Sequence, residues 1–255
     1  MKKFTIITLT HNSDNTILEN IKSVDEQNYK YIEHLCLDGY SKDNTFKILE
    51  NNKNSKRKIL RTKKVGIYKN LNKAAFLASG EIIGVLHSDD IFFNKNIIKK
   101  ISKKFENNKI NIIYTDIMMV KKNNLKFVVR NWKANKKSLQ NKIKKKDYYQ
   151  PLLKKGWMPP HTGFFFRKKF FEKIRYNIKY KISADYDFMI RMLNQVDGIS
   201  YFPIKSTRMR LGGESTKLSK LYRKSCEDLK IIKANNLGGC FTLLRKIFSK
   251  IEQFY

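Results

Sequence analysis

The chain has 255 residues, 41% of them hydrophobic with 17 Phe and 13 Tyr, which is enough for a sizeable core and excludes a chain disordered throughout. Its 54 Lys and Arg against 22 Asp and Glu give a formal charge of +32, open to three readings: a nucleic-acid binder, a protein held on anionic lipid, or a compositional bias. Lys is spread through every segment, alongside much Asn, Ile and Phe, so bias accounts for most of the charge and a membrane surface for part of it.

Cys36, Cys226 and Cys240 form no CxxC pair and are odd in number, which argues for reduced thiols over disulfides or structural zinc. The apolar stretch between Met1-Lys2-Lys3 and His11-Asn12 is too short for a signal peptide, and no later segment approaches a membrane span. A cytoplasmic protein is therefore expected.

Phe4 to Thr10 is a continuous apolar and β-branched run, the pattern of a strand buried on both faces. Ile17, Ile21 and Val24 recur at helical spacing, His34 to Leu37 reads as a second strand, and Phe46 to Glu50 as part of a second helix. Lys58 to Leu60 is a third strand, Ile67, Leu71, Ala74, Ala75 and Ala78 form a helical stripe, and Ile82 to Leu86 is a fourth strand. This alternation predicts a parallel sheet with helices on its faces.

Beyond Asn94 the pattern changes. A helix carrying Ile97, Ile101 and Phe105 leads to strands of mixed direction at Ile110 to Thr115 and Phe127 to Val129. Lys-rich Asn131 to Asp147 reads as a mobile excursion, and Trp157-Met158-Pro159-Pro160-His161 interrupts structure before a strand at Gly163 to Phe166. A helix from about Ala184 to Asn194, a strand near Ile199 to Phe202, a kink at Leu211-Gly212-Gly213 and two helices broken at Gly238-Gly239 complete the chain.

In parallel sheets ligands gather beyond the carboxyl ends of the strands, here Thr8 to Asn12, Asp38 to Ser41, Arg61 to Lys64 and His87 to Asp90. Helix capping suffices for Asp14 and Asn94. Asp89 and Asp90, adjacent carboxylates past a buried strand, either hold a divalent cation shared with a diphosphate or cap the next helix. Asp38-Gly39 is suited to a ribose or base contact, and equally to a turn. Asp185 lies at a helix start, whose dipole keeps it ionised as a general base requires; an N-cap is the alternative. Asp187 stands i,i+4 from Arg191 and needs no role beyond an ion pair. A lone His such as His161 is more often structural, but after a rigid Pro-Pro turn it could reach such a site. No His-x-x-x-His pair points to catalytic zinc, and no Walker A or Gly-x-Gly-x-x-Gly sequence is present.

Together these segments resemble the family 2 glycosyltransferases of the GT-A fold, of the bacterial O-antigen, capsule and lipooligosaccharide type. Thr5 to Asn12 resembles the family's opening strand, Asp38-Gly39-Tyr40-Ser41-Lys42-Asp43-Asn44-Thr45 its Asp-Gly-Gly-Ser-x-Asp-Gly-Thr segment, and Gly66 to Ala74 its Gly-Ile-Tyr-Asp-Ala-x-Asn-Lys-Gly helix. His87-Ser88-Asp89-Asp90 stands where the family carries Asp-x-Asp. His161 to Phe165, Ala184 to Asp187 with Arg191, and Leu211 to Ser215 are similar to its acceptor-side and Gly-Gly-x-Ser motifs.

The resemblance implies an α/β, Rossmann-like mixed sheet with helices on both faces. The catalytic domain would span residues 1–215 (a nucleotide half to 93, an acceptor half from 94), with a basic helical extension at 216–255. It implies sugar transfer with inversion from a nucleotide-sugar, UDP favoured, to a saccharide or lipid-linked acceptor. Thr8, Thr10, Asn12, Asp38, Gly66, Asn72, Ser88 and Asp89 would bind the donor, Asp89, Asp90 and His161 the Mn²⁺ or Mg²⁺, and Asp185 would be the base.

Departures stand at His87, where the family has a carboxylate or Asn, so ligation would rest on Asp89 with water or His161. Lys64 and Lys69 replace acidic residues. A nucleotidyltransferase would carry a Gly-rich loop where His11-Asn12-Ser13 stands, and a nucleic-acid binder leaves the carboxylate motifs unexplained. In the last helix Leu244, Ile247, Phe248, Ile251 and Tyr255 share one face and Arg245, Lys246 and Lys250 lie off it. An anionic membrane, the catalytic domain or a dimer partner would each cover that face.

Overall fold

The computed structural model describes residues 1–63, 65–134, 142–212 and 218–251. Lys64, residues 135–141 of the Asn131–Asp147 excursion, Gly213-Glu214-Ser215 and Tyr255 fall outside them.

The alternation of the first ninety residues is realised as β1 (Phe4–Thr10), α1 (Asp14–Asp25), β2 (Ile32–Asp38), α2 (Thr45–Asn51), β3 (Arg57–Arg61), α3 (Ile67–Leu77) and β4 (Ile82–Val85). β2 and β4 flank β1 in parallel, and β3 adds in parallel to β2. Thr10 is in register with Asp38, and Asp38 with Arg61, so the strand ends form one platform. Successive side chains of a strand point to opposite faces. Ile7 accordingly joins the core that includes Leu71 and Ala74 of α3, while Phe4 and Ile6 join Val24 on the other face. Ile67, expected in the α3 stripe, is 52% exposed because it lies in the first turn, at the helix edge.

The second half contains β5 (Ile91–Phe92), α4 (Ile97–Phe105), β6 (Ile112–Lys121), β7 (Asn124–Trp132), β8 (Ile143–Lys144), α5 (Gln150–Lys154), β9 (Phe164–Arg167), α6 (Ala184–Gln195) and β10 (Ile199–Arg210). Among the described residues all strands join one mixed sheet ordered β3-β2-β1-β4-β9-β6-β10-β5, with β7 on β6 and β8 on β10. β9 runs antiparallel between β4 and β6 and so ties the halves together. Asn94 does not cap α4 as expected: the N-cap is Asn96, and Asn94 Oδ1 accepts from the Asn96 amide (2.9 Å) in a turn just ahead of the helix. The start of α1 is instead held by Asp43, whose carboxylate accepts from the Asp14 amide (3.2 Å).

α7 (Leu218–Ala234) and α8 (Cys240–Ile251) follow. Ile231, Ile232 and Leu237 are buried in the same core as Phe188 and Ile190 of α6, so these helices pack on the preceding fold. Lys246, which lies off the apolar face of the last helix, is buried in an ion pair with Asp228 (2.7 Å). An unpaired buried carboxylate would be costly, and Lys246 is the cation that reaches it.

Candidate active site

The platform of strand ends is built around Asp38, which is fully buried. Its carboxylate accepts from the Thr10 hydroxyl (3.1 Å) and the Ser41 amide (3.0 Å) and hydroxyl, and Arg61 Nε lies 3.5 Å away. Arg61 also sits over the rings of Tyr40 (4.7 Å) and Phe46 (4.3 Å). Asn12, with φ 52°, donates its amide to Ser41 Oγ (3.0 Å) and accepts from the Lys42 amide (2.9 Å), joining the loops after β1 and β2. Asn, like Gly, tolerates that left-handed conformation.

Thr8 lies deeper than its expected contact with a nucleotide requires. It is fully buried, and its hydroxyl donates to the Leu86 carbonyl (2.9 Å) and contacts His34 Nε2 (3.0 Å). The cause is strand geometry: Thr8 sits two residues inside the end of β1, level with Cys36 of the neighbouring strand.

The His87-Ser88-Asp89-Asp90 turn follows β4. Asn20 of α1 fixes it, its side-chain amide donating to the carbonyls of His87 and Asp90 (2.8 Å each). Ser88 Oγ meets Ser13 Oγ at 3.0 Å. Arg210 donates to the Asp89 carbonyl and pairs with Glu19. Asp90 turns inward: it is 1% exposed and its Oδ1 accepts from the Arg210 amide (3.1 Å). Burial, with the Asp89 charge added, pushes its carboxyl well above the usual range. Asp90, expected among the metal ligands, thus fastens the turn to β10 through Oδ1, and its buried Oδ2 has no hydrogen-bond partner among the described residues. The Asp89 side chain is only partly buried, and among the described residues no hydrogen bond or ion pair engages its carboxylate.

Asp185 occupies the first turn of α6. The Tyr68 hydroxyl, from α3, lies 3.1 Å from Asp185 Oδ1 and 2.6 Å from the Ile182 carbonyl. Burial, then the Asp185 charge, raises the Tyr68 pKa, so it remains a neutral donor. Its ring stacks on Tyr176 (5.9 Å), whose hydroxyl meets His161 Nε2 at 2.8 Å, and the His161 and His87 rings are 5.8 Å apart. A continuous chain of side chains thus runs from Asp185 to the Asp89 turn. Glu227 of α7 fixes the approach to α6 by accepting from the amides of Lys181, Ile182 and Ser183 (3.0, 2.9 and 3.0 Å). Asp187 pairs with Arg191 at 2.7 Å, as its spacing implies.

Asn72, expected at the donor, is committed elsewhere: both ends of its amide clamp the backbone of Tyr176 (2.8 and 2.9 Å). Gly66 is exposed at the start of α3 with φ 103°, a conformation that requires glycine there. Sequence reading passed over Asn20, Tyr176, Arg210 and Glu227. Apart from His161, 15 residues before Tyr176, the partners named here lie 44 to 191 residues away, so no local signal marks them.

No three His, Cys, Asp or Glu side chains gather as a metal cage among the described residues. The donors present still fit a hard cation that takes most of its oxygens from a diphosphate and water. Asp89 offers an unengaged carboxylate, and His161 a buried Nδ1 without a partner. Burial lowers the His161 pKa to about 4, against the Asp185 charge and aided by His87, so the imidazole is neutral as a ligand must be.

Comparison with known proteins accords with this geometry. A profile of Glycosyl transferase family 2 matches residues 5–175. WfgD of Escherichia coli, a UDP-Glc:alpha-D-GlcNAc-diphosphoundecaprenol beta-1,3-glucosyltransferase, is 33% identical over 141 residues, 55% of this chain and 54% of that protein. The chain spans about half the length of the curated relatives it matches. By fold it is similar to S. aureus TarS 1–349 in complex with UDP-GlcNAc (TM-score 0.71, 20% identity, 93% of this chain and 67% of that one). It is also similar to the mannosyltransferase PcManGT of Pyrobaculum calidifontis in complex with GDP-Man and Mn²⁺ (TM-score 0.62, 14% identity, 93% and 65%). These structures establish the GT-A fold.

Proposed function

The chain belongs to the family 2 glycosyltransferases, and from that premise we propose that it transfers a sugar from a UDP-sugar, with inversion, to a saccharide hydroxyl on a lipid diphosphate in surface polysaccharide assembly. The observation that carries this reading is the linked pair of carboxylates, Asp89 after β4 and Asp185 at the head of α6, joined through Tyr68, Tyr176, His161 and His87. The donor and acceptor classes rest on the substrates named for WfgD and the UDP-GlcNAc bound by TarS.

Asp185 accepts the acceptor hydroxyl's proton while that oxygen bonds to the anomeric carbon and the bond from that carbon to the diphosphate breaks, releasing UDP. Tyr68 orients the carboxylate by its hydrogen bond at Oδ1. Asp89, with His161, would hold a Mn²⁺ or Mg²⁺ ion, which would supply charge neutralisation for the leaving diphosphate. The loops of Asn12, Asp38 and Ser88 form the nucleoside side, with Thr10 holding Asp38 in place.

The test is UDP release and product formation from a panel of UDP- and GDP-sugars with Mn²⁺, the product's anomeric configuration being read by NMR. Asp185→Asn is expected to lower turnover by about 10²–10⁴-fold, and Asp89→Ala to weaken the metal requirement and the rate together. Turnover at the wild-type rate in both variants overturns the proposal.

A further inference from the structure

α8 has two faces of opposite character. Inward, Thr242 Oγ1 lies 2.9 Å from the Lys154 carbonyl and 2.7 Å from that of Leu237, and Lys246 pairs with Asp228 beneath the Tyr186 ring (Nζ 3.1 Å from its centroid). Outward, Phe241, Leu244, Ile247 and Phe248 are 80%, 49%, 43% and 59% exposed, at the spacing of one helical face. Gly156 abuts the backbone of Arg245 and Lys246, which brings exposed Lys154 and Lys155 alongside α8, next to exposed Arg245. The tertiary fold thus borders an apolar ridge with cations from a second segment.

We propose that this ridge is a docking surface for an anionic lipid bilayer, with the four apolar side chains at the acyl boundary and Lys154, Lys155 and Arg245 on the headgroups. The cations distinguish this occupant from a second copy of the chain, which would be as basic as the surface it covered. The choice of a bilayer rests on the lipid diphosphate acceptor proposed above. Among the described residues no helix is long and apolar enough to cross a membrane, so contact through α8 is peripheral. Lys246 ties α8 to Tyr186, the neighbour of Asp185, so docking would also orient the site toward the surface that carries the acceptor.

The experiment is co-sedimentation of the full chain with vesicles of phosphatidylglycerol and phosphatidylcholine, and of phosphatidylcholine alone. Its comparison variants are Phe241→Ser with Phe248→Ser, and Lys154→Glu with Arg245→Glu, with folding checked by circular dichroism. Wild type should pellet with the anionic vesicles, and each double variant should lose about tenfold or more in partitioning. UDP-sugar hydrolysis without vesicles should be unchanged. Equal partitioning of all three proteins overturns the proposal, as does a wild-type dimer in sedimentation velocity that the Phe variants dissociate. Vesicle binding without UDP-sugar hydrolysis would refute the transferase reading and leave the docking surface standing.

Discussion

His34, in the middle of β2, is fully buried between Thr8 and Arg57. The Thr8 hydroxyl has one proton, directed at the Leu86 carbonyl (2.9 Å), so it accepts from His34 Nε2–H (3.0 Å). Arg57 Nε donates to Nδ1 (3.4 Å), which assigns the neutral tautomer. A second proton would sit on Nδ1 against the guanidinium. Burial, then the Arg57 charge, holds the folded pKa to about 3 against an ordinary 6.5. The unfolded chain therefore takes up this proton as pH falls below 6.5, and the folded chain does not until about 3. The stabilisation is complete above pH 6.5 and declines through that window. From pH 7 to pH 5 the unfolded state gains about 2 kcal/mol from His34, and about as much again from His161, whose folded pKa is about 4. Ordinary carboxylates titrate lower, and Asp90 and Asp116, which burial raises, act in the opposite sense but equally in wild type and variant, so they cancel in the comparison. Urea unfolding at both pH values, compared between wild type and His34→Gln, isolates the effect. The variant should be less stable at pH 7 but lose about 2 kcal/mol less on acidification. The same acid-induced loss in both proteins would refute the buried neutral imidazole.

Three further outcomes follow from the packing. In Gly84→Ala the new Cβ would sit 2.7 Å from Phe165 Cε1, inside a filled core, so a loss of about 1–3 kcal/mol is expected in chemical denaturation. Glu227→Ala frees three amides ahead of Asp185 and should lower kcat by about tenfold or more, with Glu227→Gln recovering part of it, because positioning of the base is lost. Asp90→Asn keeps the shape of a buried carboxyl that accepts the Arg210 amide and should leave UDP release within about threefold of wild type, whereas a cation held by Asp90 would make the change as damaging as Asp89→Ala.

The fold of the first half was legible in the sequence because it is written in neighbouring residues. The apolar run of β1, the stripe of Leu71, Ala74 and Ala75, and the polar clusters after each strand have local periods that a parallel sheet with crossover helices must show. The same logic singled out Asp38, Asp89 and Asp185 as candidates, since strand ends and helix starts are where such a sheet gathers its ligands. Availability of those groups was decided only by the tertiary structure. Asp90 looks as accessible in the sequence as Asp89, and Thr8 as accessible as Asn12, yet Thr8 and Asp90 are buried on partners from distant parts of the chain. Asn72 faces a backbone 104 residues away, and Lys246 meets Asp228 and Tyr186 across three helices. Secondary structure follows from a residue and its near neighbours, whereas a polar atom's freedom to bind a ligand depends on whether the fold has already brought it a partner.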